Sequence, residues 1–182
     1  MNNYLISEKI FGKKFFSKYY LVVLGIILLT VSSKISLPFF SISMTLQTLI
    51  VYFISSFMGM LGFYAILIYL FLGTLGLPIF SDGGGFDYIF SPMYGFLCGM
   101  LFASLTINYV IKTGYKNFTK IFLAIFAGFS IMYFIGICYL SYFMGIQKAF
   151  TSSFLLLLYS ELLKVILATV LIYILMLKFN KN

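Results

Sequence analysis

Residues Tyr69–Gly95 read YLFLGTLGLPIFSDGGGFDYIFSPMYG. An apolar run stops at Gly76-Leu77-Pro78, opens into Ser81-Asp82-Gly83-Gly84-Gly85-Phe86-Asp87, and resumes behind Pro92. Leu77 precedes a proline, which disfavours the helical region and ends a helix there. The three glycines permit positive φ and a tight approach of backbone to another surface. Phe80, Phe86 and Phe90 give the segment an apolar side that can fold down over an opening, which a mere surface connection does not need. The stretch thus divides a chain of helices and is expected to act as a gate.

The remainder of the chain fixes its surroundings. Of 182 residues, 63% are hydrophobic and 9% charged, with a mean hydropathy of +1.11. Soluble domains are roughly half apolar and about a quarter charged, so this composition is that of an integral membrane protein. Its apolar runs approach or exceed the roughly 18–20 residues that cross about 30 Å of hydrocarbon, and no polar domain separates them. The expected architecture is an all-α membrane protein with six transmembrane helices. The spans are about 19–33, 44–58, 63–77, 92–111, 121–143 and 153–177, forming a single domain over residues 19–182. Residues 1–18 interleave Lys9, Lys13, Lys14 and Lys18 with Ile10, Phe11, Phe15 and Phe16, a basic amphipathic segment suited to an anionic lipid surface.

The lysines test this count. Six spans put Lys9, Lys13, Lys14, Lys18, Lys112, Lys116, Lys120, Lys178 and Lys181 on the side of the termini, against Lys34 and Lys148 on the other. The positive-inside rule then places both termini in the cytoplasm and the Tyr69–Gly95 break on the outer face. A net charge of +8 distributed in this way speaks for topology and against nucleic acid as a partner. The chain has no histidine, which excludes Ser-His and Cys-His nucleophiles and His-ligated metals. It has no phosphate-binding G-x-x-x-x-G-K-[ST] string, and Cys98 and Cys138 read as buried hydrophobes. No cofactor is expected.

Topology leaves Glu161 and Lys164 unexplained. They lie about two turns into the last span, on its outer half, and their spacing places them on one helix face. A charge at membrane depth costs a few kcal/mol at least and usually faces a cavity or a partner. A purely structural ion pair is the competing reading, against which stands the small net stability that such pairs give. Thr45-Leu46-Gln47-Thr48 puts hydroxyls and an amide at the outer start of the second span, where they serve either as packing glue or as ligand contacts. Tyr69 with Gly73 and Gly76 sets a phenol beside bare backbone, an arrangement that also suits close helix packing.

These residues resemble the BioY family, the biotin-binding membrane subunits (S components) of energy-coupling-factor (ECF) transporters. The resemblance rests on Thr45-Leu46-Gln47-Thr48, Tyr69 with Gly73-x-x-Gly76-Leu77-Pro78-Ile79-Phe80, the glycine-rich loop, Pro92-x-x-Gly95 with Gly99, and the acid-x-x-Lys pair of the last helix. The chain departs from the family pattern at Ser43, where a proline is usual, and at Pro92-Met93-Tyr94-Gly95-Phe96, which replaces Pro-Thr-x-Gly-Tyr. It also has Glu161 for an aspartate. The resemblance implies an S-component-like bundle in the bacterial cytoplasmic membrane that binds biotin as a transported ligand. It also implies, as partners, a transmembrane coupling protein and two ATPase subunits. Biotin needs a cation for its carboxylate, donors and acceptors for its ureido head, and apolar walls. Lys164 is expected to take the carboxylate, and Glu161 and Gln47 the ureido group. Tyr69, Phe80 and Tyr94 are expected as walls, with Thr45, Gly73 and Asp82 completing the site. Gly84→Pro is expected to slow biotin exchange more than it changes stability. The alternatives are an S component for riboflavin or thiamine, an intramembrane enzyme using Asp82, Asp87 or Glu161, and a structural bundle without ligand.

Overall fold

The structure is a computed structural model that describes the backbone of residues 15–39, 42–112 and 117–180, and the side chains of 18–36, 45–112, 117–151 and 158–178. Most of the basic segment, 1–14, lies outside these residues. Six α-helices follow one another among them: α1 (Phe15–Lys34), α2 (Gln47–Met58), α3 (Met60–Thr74), α4 (Tyr94–Lys112), α5 (Phe118–Met144) and α6 (Ile146–Asn180). Each corresponds to one expected span, with shifted ends. The largest shift is in α6, which begins at Ile146 directly after Gly145 rather than near residue 153.

Two connections depart from the expected pattern. The polar segment after α1 is a hairpin, β1 (Ser36–Phe39) against β2 (Ile42–Thr45), antiparallel with Ser36 opposite Thr45. The second span therefore begins as a strand, and α2 is a helix of 12 residues. At 1.5 Å per residue α2 is about 18 Å long, too short to cross hydrocarbon alone. Residues 75–93 have no α-helix and contain a single 3-10 turn, Phe86–Phe90. By length and apolar composition, α4, α5 and Leu158–Lys178 of α6 can each cross a membrane, and α2 and α3 are shorter apolar helices. Large apolar side chains stay exposed along the outside, among them Val23, Ile27 and Val31 on α1 and Ile166, Val170 and Ile174 on α6. In water such faces would be costly; against acyl chains they are the expected surface of a multi-pass membrane protein.

Packing brings α2 to the centre, in contact with α1, α3, α4 and α6. Between α2 and α3 the turn is a single residue, Gly59, at φ 61. Gly62 then presses against the Ile54 carbonyl, where any Cβ would collide. The α4–α5 pair is equally close: side chains at Gly99, Gly128 or Gly136 would overlap the partner helix. Such small-residue contacts replace the hydrophobic drive that lipid does not supply. Hydrogen bonds from Lys34 to Phe80 and from Tyr139 to Ile89 gather the end of α1, the 75–93 loop and the far part of α5 at one end of the bundle.

Candidate functional site: a cavity beneath the loop

At that end a cavity of about 340 Å³ opens between α1, the hairpin, α2, the loop, α4, α5 and α6. Its size lies within the range of roughly 300–1,000 Å³ that suits small molecules. Its floor is polar. The Glu161 carboxylate accepts hydrogen bonds from Thr48 Oγ1 (2.8 Å), Tyr52 OH (3.0 Å) and Lys164 Nζ (2.7 Å). Lys164 Nζ also donates to Thr48 Oγ1 at 2.9 Å. Glu161 is 7% exposed and Lys164 8%, and Thr48 and Tyr52 are buried with them.

Local sequence explains this geometry. Thr48 and Tyr52 are one helical turn apart on α2, and Glu161 and Lys164 are three residues apart on α6, so two helix faces meet through four polar side chains. Two of the three ammonium donors of Lys164 are engaged, which leaves one for another acceptor. Gln47, also buried, sits beside this floor; its Nε2 donates to Tyr69 OH at 3.1 Å, which leaves its second N–H and its carbonyl oxygen. The walls above are apolar and adaptable: Met93 from the end of the loop, Phe96, Leu97 and Met100 from the start of α4, and Met132 and Tyr133 from α5.

The loop forms the remaining side, and it is stitched down by backbone. Phe80 and Gly83 pair in a small bridge, and Gly85 N–H donates to the Gly73 carbonyl at 2.8 Å. The Ile79 carbonyl receives both Ser33 Oγ (2.7 Å) and Tyr69 OH (2.9 Å), and Lys34 Nζ donates to the Phe80 carbonyl. Gly83 and Gly85 take φ of 115 and 125, the left-handed region that glycine enters without penalty. Gly84 does not; it serves by closeness, since a Cβ there would overlap the carbonyl oxygens of Leu77 and Gly73. The expectation for Gly84→Pro is corrected on this point. The substitution would displace the loop and cost stability, because Gly84 is a packing position and not a hinge.

Of the residues expected at a ligand, Lys164, Glu161, Gln47, Thr45 and Asp82 line the cavity together. Tyr69, Gly73, Phe80 and Tyr94 do not, and the first three stand behind the lining. Phe80 is buried against the bare backbone of Gly73, with the rings of Tyr69 and Tyr88 at 5.4 and 4.8 Å. Tyr69 is fully buried and bridges Gln47 to the loop. Their geometry supports the site from outside rather than forming its surface. Tyr52, Lys34 and the apolar wall were not expected here, and Thr48 was expected only as part of the Thr45–Thr48 cluster. Thr48 and Tyr52 had a signal, hydroxyls spaced by one turn beginning in the Thr45–Thr48 motif; the apolar wall had none, since its residues resemble every other helix face.

Comparison with known proteins bears on what this arrangement is for. The BioY family profile matches residues 7–180. A probable biotin transporter BioY of Rickettsia prowazekii (strain Madrid E) is 28% identical over 148 residues, covering 80% of this chain and 76% of that protein. The biotin transporter BioY2 of Lactococcus lactis subsp. cremoris (strain MG1363) is 31% identical over 155 residues, covering 82% and 85%. In three dimensions the chain is similar to the crystal structure of the S-component for biotin from an ECF-type ABC transporter. The TM-score is 0.76 at 18% identity, over 86% of this chain and 89% of that one, which establishes the shared fold. With a matched profile spanning nearly its whole length and relatives aligned across most of theirs, this chain belongs to the BioY family.

Proposed function

We propose that this chain captures biotin at the outer face of a bacterial cytoplasmic membrane, as the substrate-binding subunit of an ECF-type transporter. The observation that carries the reading is the buried Thr48–Tyr52–Glu161–Lys164 cluster opening onto a cavity in a chain of this family. Biotin has a neutral ureido head with N–H donors and a carbonyl acceptor, a thioether ring, and an aliphatic tail ending in a carboxylate. Glu161 accepts and Lys164 donates side by side at the floor, so the pair matches an N–H and a C=O of the same ureido group. Their charges cancel, which suits a neutral head. The role first expected of Lys164, holding the carboxylate, would bring a second carboxylate against Glu161 Oε1, 2.7 Å from the same ammonium. Like charges so placed repel. Gln47 adds an amide next to the floor, and Met100 and Met132 supply apolar contact for the thioether ring.

In this reading the chain crosses the membrane six times with both termini in the cytoplasm, supported by the succession of α1 to α6 and by the lysine distribution. The cavity then faces outward. The energy for uptake comes from partners, a transmembrane coupling protein with two ATPase subunits, while the exposed apolar faces contact lipid. Equilibrium binding to the purified, detergent-solubilised chain tests the reading with biotin, riboflavin and thiamine. Saturable binding of biotin alone is the expected result. Binding of riboflavin or thiamine in its place would assign the chain to another substrate.

A further inference from the structure

The cavity holds a second cation that the polar floor does not use. Lys34, the last residue of α1, lines its exposed rim with Ser36 and Asp82, whereas Glu161 and Lys164 are buried. Its ammonium donates to the carbonyl oxygen of Phe80 and, at 3.4 Å, to that of Ser81. Among the described residues it makes no ion pair. Asp82, the acid that shares the rim, accepts instead from the Ser81 hydroxyl at 3.1 Å. Topology accounts for the charge of Lys34 but not for its place in the lining of the cavity. As a tether for the loop it is nearly redundant too, since Ser33 and Tyr69 already hold the adjacent Ile79 carbonyl.

An ammonium satisfied by neutral carbonyls keeps its positive charge and attracts an anion, whereas a paired one does not. The two ends of the cavity thus differ: at the floor the cation and the acid are paired, whereas at the rim Lys34 and Asp82 share the lining without an ion pair among the described residues, so the ammonium is open to an anion. We propose that Lys34 is the residue that recognises the substrate's carboxylate, offering it the ammonium donor that the Phe80 and Ser81 carbonyls leave over. The assignment rests on the biotin reading of the cavity. It also places the carboxylate beside the loop, because the same ammonium holds the loop's Phe80 and Ser81 carbonyls.

Titration calorimetry with biotin and with its uncharged primary amide tests the assignment on the parent chain and on Lys34→Met, Lys34→Arg and Lys164→Met. The parent should prefer biotin to the amide by about tenfold or more, the scale of a hydrogen bond to a charged group. Lys34→Met should bring that ratio to within about threefold while its affinity for the amide stays at the parent level, and Lys34→Arg should retain the preference. The proposal is overturned if Lys34→Met keeps the preference, or if it weakens both ligands equally, which would make Lys34 a loop tether only. It is overturned equally if Lys164→Met binds the amide normally and is the variant that loses the preference. Should neither ligand bind the parent, the biotin reading itself fails, and the proposal with it.

Discussion

The floor and the rim of the cavity are built on different principles. At the floor, four side chains from two helices satisfy one another, and the helical repeat sets their spacing. At the rim, the 75–93 loop is held by its own carbonyls, which receive Ser33, Lys34 and Tyr69 and approach glycine backbone where no side chain fits. The members of such a floor are fixed to two helices and to one another. The rim is ordered, but each of its bonds can be exchanged for another acceptor or donor. Strength of binding is therefore expected to reside in the floor, and selectivity and rate of exchange in the rim.

Substitutions at the two places should separate these roles. Lys164→Met strikes the floor hardest, because it leaves Glu161 buried with only two neutral donors. Truncating one member of a buried charged pair costs about 2–5 kcal/mol, so biotin affinity should fall by about a hundredfold or more in a calorimetric titration, with the helical circular dichroism retained. Gly84→Ala should act on the rim by forcing the loop off the Leu77 carbonyl. Overpacking of this kind costs about 1–3 kcal/mol, and it should appear as a lower melting temperature together with affinity weakened by about tenfold. Parent-like melting would show the loop to be looser than its packing implies. Tyr69→Phe removes the hydroxyl that joins Gln47 to the Ile79 carbonyl. At about 1 kcal/mol for one hydrogen bond, biotin dissociation in a stopped-flow chase should accelerate about fivefold. Tyr94→Phe should do least, changing affinity by less than about twofold, because Tyr94 lies outside the cavity and surface-type changes are small. A large effect there would redraw the wall.

These contrasts also explain what could be read before the structure was known. Glu161 and Lys164 were legible because ionised groups at membrane depth demand a reason, and their three-residue spacing fixes a shared face. The six helices were legible from apolar run length. The short α2 and the hairpin before it were not, because Ile42–Thr45 is apolar enough to extend a helix and only backbone pairing makes it a strand. Tyr69 and Phe80 were expected as walls; their places behind the lining depend on Gly73 admitting the Phe80 ring, a contact across seven residues with no sequence period. Lys34 was counted for its charge alone. Its acceptors are backbone carbonyls 46 and 47 residues away, and no side chain advertises a carbonyl.

Under the proposed function, Glu161 and Lys164 are retained to hold a ligand and not to hold the bundle together. Biotin titration of the Glu161→Leu/Lys164→Leu double variant, taken through size exclusion and thermal melting in the same preparation, addresses it directly. Replacing a buried ion pair by leucines is often neutral for stability, so the variant should elute as the parent does, melt within about 5 °C of it, and bind no measurable biotin. A folded variant that still binds biotin at the parent's affinity, or one that cannot fold, would contradict the account.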